Sequence, residues 1–233
     1  MTADEKLVEV LERARAVLFD FDGPICSVFA GEPAPGVARD LRERLAEWDV
    51  AVELDDELAD DPLEVLRAAV RFGDKVTRTA DDLLTGAEIS AVRLAEPTPG
   101  GVESMRACRA AGLRVAVVSN NSAAAVNEYL ALHQLVDLVE VVVGREYGKP
   151  DLMKPHPKPI HDALKRLRIG PDVALLVGDS LTDVDGSRAA GIACIAYANK
   201  PGKDRLLAAA DAQVDDMQVL ADHLSGLARR NAG

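Results

Sequence analysis

Two pairs of acids and one lysine-rich loop carry most of the chemistry available to this chain. Asp20 and Asp22 end the apolar run Ala16-Val17-Leu18-Phe19 and lead directly into Gly23-Pro24. Asp179 and Asp183 follow a second apolar run, Val173 to Val177, across Gly178. Carboxylates at the end of a buried strand are costly unless a cation or hydrogen-bond donors meet them. Each segment also has a purely local reading: Asp-Gly-Pro is turn chemistry, and Ser180, Thr182 or Asp183 is a competent helix cap. If the two segments meet in space, four oxygen-bearing acids with no His or Cys among them select a hard cation, Mg2+ being the natural choice.

Two further segments supply groups suited to an anion. Val118-Ser119-Asn120-Asn121-Ser122 closes an apolar run and precedes a helical stretch, so Ser119 and the first free N–H groups there would cradle an anion or simply cap the helix. Lys149-Pro150 and Lys154-Pro155-His156-Pro157 lie on one proline-stiffened loop. A lysine fixed on such a loop neutralises a phosphate as a point charge.

The elements that must position these groups read as α/β. Short runs rich in Val, Ile and Leu lie at 16–19, 115–118, 139–143, 173–177 and 192–198. Runs this short and apolar suit parallel strands buried on both faces. Helical stretches separate the later ones: Gly101 to Ala111, Ala123 to Leu132, Pro159 to Leu167 and Asp183 to Ala190, with Gly112, Gly170 and Gly191 as C-terminal stops for three of them. The expected fold is a doubly wound parallel sheet ordered 3-2-1-4-5, with strands one and four adjacent at the switch point where ligands bind. Residues 24–98 instead show helical periodicity, in Gly36 to Trp48, Pro62 to Arg71 and Ala80 to Glu96. A plain crossover does not need about 75 residues, so this stretch is expected to form a small helical cap, inserted into a core of residues 1–23 and 99–233.

Composition narrows the partners. The 233 residues carry 27 Lys and Arg against 39 Asp and Glu, a formal charge of -12, which argues against general nucleic-acid binding. That charge also repels phosphate esters at long range, so a phosphorylated ligand requires a local cationic pocket or a bound metal. No apolar stretch approaches the roughly 18 residues of a membrane span. Three scattered cysteines, Cys26, Cys108 and Cys194, give no disulfide framework, and Met1 to Glu9 lacks the layout of a secretory signal. The expected setting is the cytoplasm, as a monomer or homodimer.

Taken in order, the four segments resemble the motifs of the haloacid dehalogenase-like (HAD) superfamily, in its phosphoglycolate-phosphatase-like branch. The resemblance covers the first strand and everything from about Pro99 onward. It implies a Rossmann-like core with a helical cap and a Mg2+-dependent phosphatase acting on a small phosphorylated metabolite. By the same resemblance Asp20 is the nucleophile and Asp22 the general acid/base. Ser119 and Asn120 bind phosphate with Lys154, while Asp20, the Asp22 carbonyl, Asp179 and Asp183 form the metal site. Lys154-Pro155-His156-Pro157 matches the family's Lys-Pro-x-Pro form, with Lys149 as the alternative. Pro24 departs from the family's usual Thr or Val.

Rival readings differ in identifiable residues. A haloacid dehalogenase needs neither metal nor an equivalent of Asp22, which this chain keeps. A phosphomutase or phosphotransferase would use almost the same core with a different acceptor, and a catalytically silent binding protein would keep the scaffold alone. Gly178-Asp179-Ser180-Leu181 also spells the GDSL esterase signature, but His223 has Leu220, not Asp, three positions before it. Cap arginines Arg39, Arg42, Arg44, Arg67, Arg71 and Arg78 are candidates for reaching a polar substrate or for a solvated face.

Overall fold

The computed structural model describes residues 2–231. After α1 (Ala3–Arg13) and β1 (Ala16–Phe19) come four helices: α2 (Ala34–Ala46), α3 (Asp56–Ala59), α4 (Pro62–Ala69) and α5 (Asp74–Val92). Strand and helix then alternate through α6 (Gly101–Ala110), β2 (Arg114–Val118), α7 (Ala123–Leu132), β3 (Val141–Val143) and α8 (Lys158–Leu167). The chain ends with β4 (Ala174–Gly178), α9 (Leu181–Ala190), β5 (Ala193–Tyr197), α10 (Lys203–Leu206), β6 (Ala212–Val214) and α11 (Met217–Asn231).

The six strands form one sheet in the order β3-β2-β1-β4-β5-β6, every neighbouring pair parallel. Side chains alternate between its faces along each strand. Val17, Phe19, Val115, Val117, Leu175 and Val177 point to one face, where they pack with Leu7 and Leu11 of α1, Met105 of α6 and Leu220 and Leu224 of α11. Leu18, Ala116, Val118, Leu176 and Cys194 point to the other, against Ile160 and Leu164 of α8 and Val184 of α9. Both faces being covered explains why the strands read as continuous apolar runs. Truncating any of these large side chains to Ala costs about 2–5 kcal/mol.

The order contains the expected 3-2-1-4-5 and extends it by β6, whose three residues Ala-Gln-Val carry no apolar run. Gly112 and Gly191 adopt left-handed backbone after α6 and α9. Gly170 does not; α8 stops one turn earlier, with Arg168 in the left-handed conformation.

Helices α2, α4 and α5 enclose an apolar cluster of their own, including Leu41, Leu45, Val65, Leu66 and Leu84. The two chain segments that lead into and out of the helical stretch are pinned together beside the first acidic motif. Cys26 bridges to both Asp22 and Pro97, Thr98 N donates to Ile25 O, and the Thr98 hydroxyl donates to Gly23 O at 2.6 Å. Among the described residues no helix is long and apolar enough to cross a membrane.

Candidate active site

Strand register brings the two acidic motifs together. Phe19 pairs with Val117 on one side and Val177 on the other, and Asp20 N continues the ladder by donating to Val177 O at 2.8 Å. Asp20 therefore emerges at the carboxyl edge of the sheet beside Gly178-Asp179, at the switch point between β1 and β4. Carboxylate oxygens of Asp20, Asp179 and Asp183 lie within 4.8 Å of one another.

Lys154 lies among them, 1% exposed. Its Nζ donates to Val118 O at 2.8 Å and to Asp183 Oδ1 at 2.6 Å, and is 2.9 Å from Asp20 Oδ1. Burial alone would lower its pKa, but Asp183 and Asp20 outweigh that and hold the ammonium charged well above its ordinary range. Lys149 instead pairs with Glu146 at the surface, away from the acids.

Asp183 is fully buried and committed to protein donors on both oxygens. Oδ1 takes Lys154, and Oδ2 accepts from Asp179 N, Ser180 N and the Ser180 hydroxyl. It is also the third helical residue of α9, forming a capping box with Ser180. The close packing explains Gly178: a Cβ there would fall inside the Asp183 carboxylate. Asp20 and Asp179 are less committed. Asp20 Oδ1 accepts from Phe21 N and Asp179 Oδ2 faces Lys203 Nζ at 2.6 Å and Asn199, which leaves Asp20 Oδ2 and Asp179 Oδ1 without protein donors among the described residues. Burial, followed by the charge of Asp183, pushes Asp20 well above the usual carboxylate range, with Lys154 opposing. A divalent cation would offset this excess of negative charge, and an all-oxygen donor set suits Mg2+. The residues present fit such an ion.

Asp22 stands apart from this cluster. Its carboxylate turns back to accept from Val28 N at 2.9 Å. Burial raises its pKa to about 6, against the Val28 N–H, which lowers it. A carboxyl titrating there is suited to give and take protons near neutral pH.

Ser119 and Asn120 lie on the turn after β2. The Ser119 hydroxyl is held by Asn121 N and Asn121 Oδ1, both at 3.1 Å. The Asn120 side chain makes a reciprocal pair with the Lys154 backbone, Nδ2 to Lys154 O at 3.1 Å and Lys154 N to Oδ1 at 2.8 Å. It thus sets the lysine loop in place. The main-chain N–H groups of Asp22 and Asn120 donate to no protein acceptor among the described residues.

These groups open onto a cavity of about 440 Å³. Asp20, Asp22, Ser119, Asn120 and Asp179 line its sheet end, and Asp60, Asp61, Leu63, Glu64 and Arg67 from the α3–α4 region line the opposite wall. Of the six arginines named in the helical stretch 24–98, Arg67 alone lines this cavity.

Sequence reading missed two sets of residues here. Asn199 and Lys203, the latter the first residue of α10, follow β5 in a polar segment whose composition is that of any surface loop; only their position after a strand next to β4 points to the crevice. Arg145 is 6% exposed and binds Asp81 at 2.6 Å and Glu88 at 2.5 Å on α5, while Glu88 accepts from Asn121 Nδ2 and Ser122 N. On a charged helix these acids read as solvated, and no spacing rule links them to an arginine 57 and 64 residues later.

Comparison with known proteins places this architecture. The family model of the haloacid dehalogenase-like hydrolases matches residues 14–191. A phosphoglycolate phosphatase of Nitrosospira multiformis is 32% identical over 201 residues, 82% of this chain and 86% of that protein. One from Rhodospirillum rubrum is 30% identical over 226 residues, 90% of each chain. The crystal structure of CbbY from Rhodobacter sphaeroides in complex with phosphate shares the fold, with a TM-score of 0.65 at 21% identity, covering 89% of this chain and 96% of that one. With the strand order and the acidic motifs already in place, these matches identify the chain as a haloacid dehalogenase-like hydrolase of the phosphoglycolate-phosphatase-like branch, an enzyme of the phosphatase class.

Proposed function

We propose that the protein is a cytoplasmic, Mg2+-dependent phosphatase that hydrolyses a small phosphate monoester through an aspartyl-phosphate, with residues 24–98 serving as a cap over the site. The observation that carries this reading is the Asp20 carboxylate, which has one oxygen held by Phe21 N and Lys154 and the other free at the cavity. A carboxylate so held is fixed in orientation yet open to attack phosphorus.

Asp20 Oδ2 attacks the phosphoryl group in line with the ester oxygen, forming the O–P bond of an acyl phosphate as the bond to the alcohol breaks. Asp22, protonated near neutral pH, gives its proton to the departing alkoxide. The resulting Asp22 carboxylate then removes a proton from water, whose oxygen attacks phosphorus and releases inorganic phosphate and free Asp20. Lys154 and the N–H groups of Asp22 and Asn120 stabilise negative charge on the phosphoryl oxygens, with Ser119 as a further donor. Asp20, the Asp22 carbonyl and Asp179 would hold Mg2+, while Asp183 anchors Lys154 and the β4–α9 turn. When bound, the ion supplies neutralisation of the phosphate and carboxylate charge.

The test is release of p-nitrophenol from p-nitrophenyl phosphate with Mg2+ and with EDTA. Turnover that requires Mg2+ and disappears in folded Asp20→Asn supports the reading; undiminished turnover in that variant contradicts it.

A further inference from the structure

The cap wall of the cavity carries the wrong charge for a second anion on the substrate. Asp60, Asp61 and Glu64 line it with one cation, Arg67, a net charge of -2 on that wall. Arg67 is already committed: Nη1 donates to Pro150 O at 3.3 Å, Nη2 to Lys154 O at 2.9 Å, and Nε lies 3.2 Å from Glu64 Oε1. The N-terminus of α4 also faces the cavity, and such a terminus would ordinarily attract an anion. Here Asp61 caps it, its carboxylate accepting from Leu63 N at 2.8 Å, and Glu64 occupies the first turn. Asp60 has no ion-pair partner among the described residues. Every positive feature of this wall is thus answered by an acid or a carbonyl of the protein itself.

Resting on the phosphatase reading above, we infer that the wall selects a phosphate monoester whose alcohol portion bears no second negative charge: a neutral polyol or an amino alcohol. A carboxylate or second phosphate on the leaving group would meet like charge from exposed Asp60 and Asp61 and half-buried Glu64, a repulsion that is strongest at low ionic strength. An ammonium or hydroxyl group would find acceptors in Asp60 and Glu64. The phosphoglycolate phosphatases to which the chain is similar are named for a carboxylate-bearing ester, so this wall separates substrate choice from shared ancestry.

Two arms test this at low ionic strength with Mg2+. In the first, kcat/KM is compared for three small esters whose alcohol portions differ in charge: aminoethyl phosphate (cationic), glycerol phosphate (neutral) and 2-phosphoglycolate (anionic). In the second, calorimetric binding of the same three is measured on Asp20→Asn, a readout that needs no turnover. Discrimination of roughly tenfold or more against 2-phosphoglycolate in both arms, shrinking with added salt, is expected. The double variant Asp60→Asn/Glu64→Gln should raise kcat/KM for 2-phosphoglycolate more than for glycerol phosphate. Equal handling of the three esters, or preference for 2-phosphoglycolate, overturns the inference even if p-nitrophenyl phosphate is hydrolysed. Loss of turnover on every ester, p-nitrophenyl phosphate included, would instead strike the phosphatase reading, and the binding arm would still decide the charge preference.

Discussion

Lys154 and Asp183 form an ion pair at 2.6 Å in which neither side chain is more than 1% exposed. The pair joins the proline-stiffened loop to the start of α9 and, through Lys154, reaches Asp20. A buried charge of this kind contributes little when paired but is costly when its partner is removed. Lys154→Met is therefore expected to lose about 3–5 kcal/mol in urea denaturation and to lose phosphatase activity. Lys149→Met should change stability by no more than about 0.5 kcal/mol and leave kcat unaltered. If the two variants behave alike, the position of the lysine has been misread.

Asp22 ties activity to a stability penalty. Its folded pKa is about 6 against 3.8 for an unperturbed aspartate. The folded state thus binds more protons than the unfolded state between those values. Stability falls as pH rises through that window, and the penalty is complete above it. Asp22→Asn removes the penalty while keeping an oxygen for Val28 N. In metal-free protein the variant should gain up to about 3 kcal/mol over wild type at pH 8 and almost nothing at pH 3.5. Thermal melts at the two pH values check this, with phosphatase activity lost at both.

Arg145 anchors α5 to the turn that follows β2, through Glu88. Arg145→Met strands Asp81 and Glu88, and is expected to cost about 3–5 kcal/mol. Because Glu88 holds Asn121 and Ser122, Glu88→Gln should raise KM for p-nitrophenyl phosphate while the protein stays folded by circular dichroism. An unchanged KM would separate this network from the site.

Gly178→Ala tests the packing that seats Asp183. With no room for a methyl group against the carboxylate, it should destabilise by about 1–3 kcal/mol and reduce kcat, because the displaced group orients Lys154. A silent Gly178→Ala would show that the Asp183 carboxylate is free to move aside.

The core was legible because its signals are local and chemically unambiguous. Val and Leu runs such as Val115 to Val118 announce buried strands, and although turn or cap chemistry accounts for each acidic pair alone, two such pairs at the ends of adjacent strands call for a cation or donors. The adjacency of β1 and β4 follows from the doubly wound topology, which is why the sequence alone pairs residues 20 and 179. What escaped depended on contacts between distant, ordinary-looking residues. Lys203 reaches Asp179 from the first residue of the short helix α10, in a segment indistinguishable by composition from surface loop, and Arg145 meets Asp81 and Glu88 only because α5 packs against α7, beside the loop that follows β3. β6 escaped because its burial comes from α1 and α11 rather than from its own composition. The arginines of the helical stretch read as equivalent, and only three dimensions single out Arg67 and show it to be already occupied.

The nucleophilic role of Asp20 is tested most directly by trapping. Rapid acid quenching during turnover of p-nitrophenyl phosphate with Mg2+, followed by proteolysis and mass spectrometry, should find a phosphoryl group on the peptide containing Asp20. The same peptide from Asp20→Asn should carry none. A phosphoryl group localised to another residue, or hydrolysis at full rate with no phosphorylated peptide at any quench time, would contradict the account.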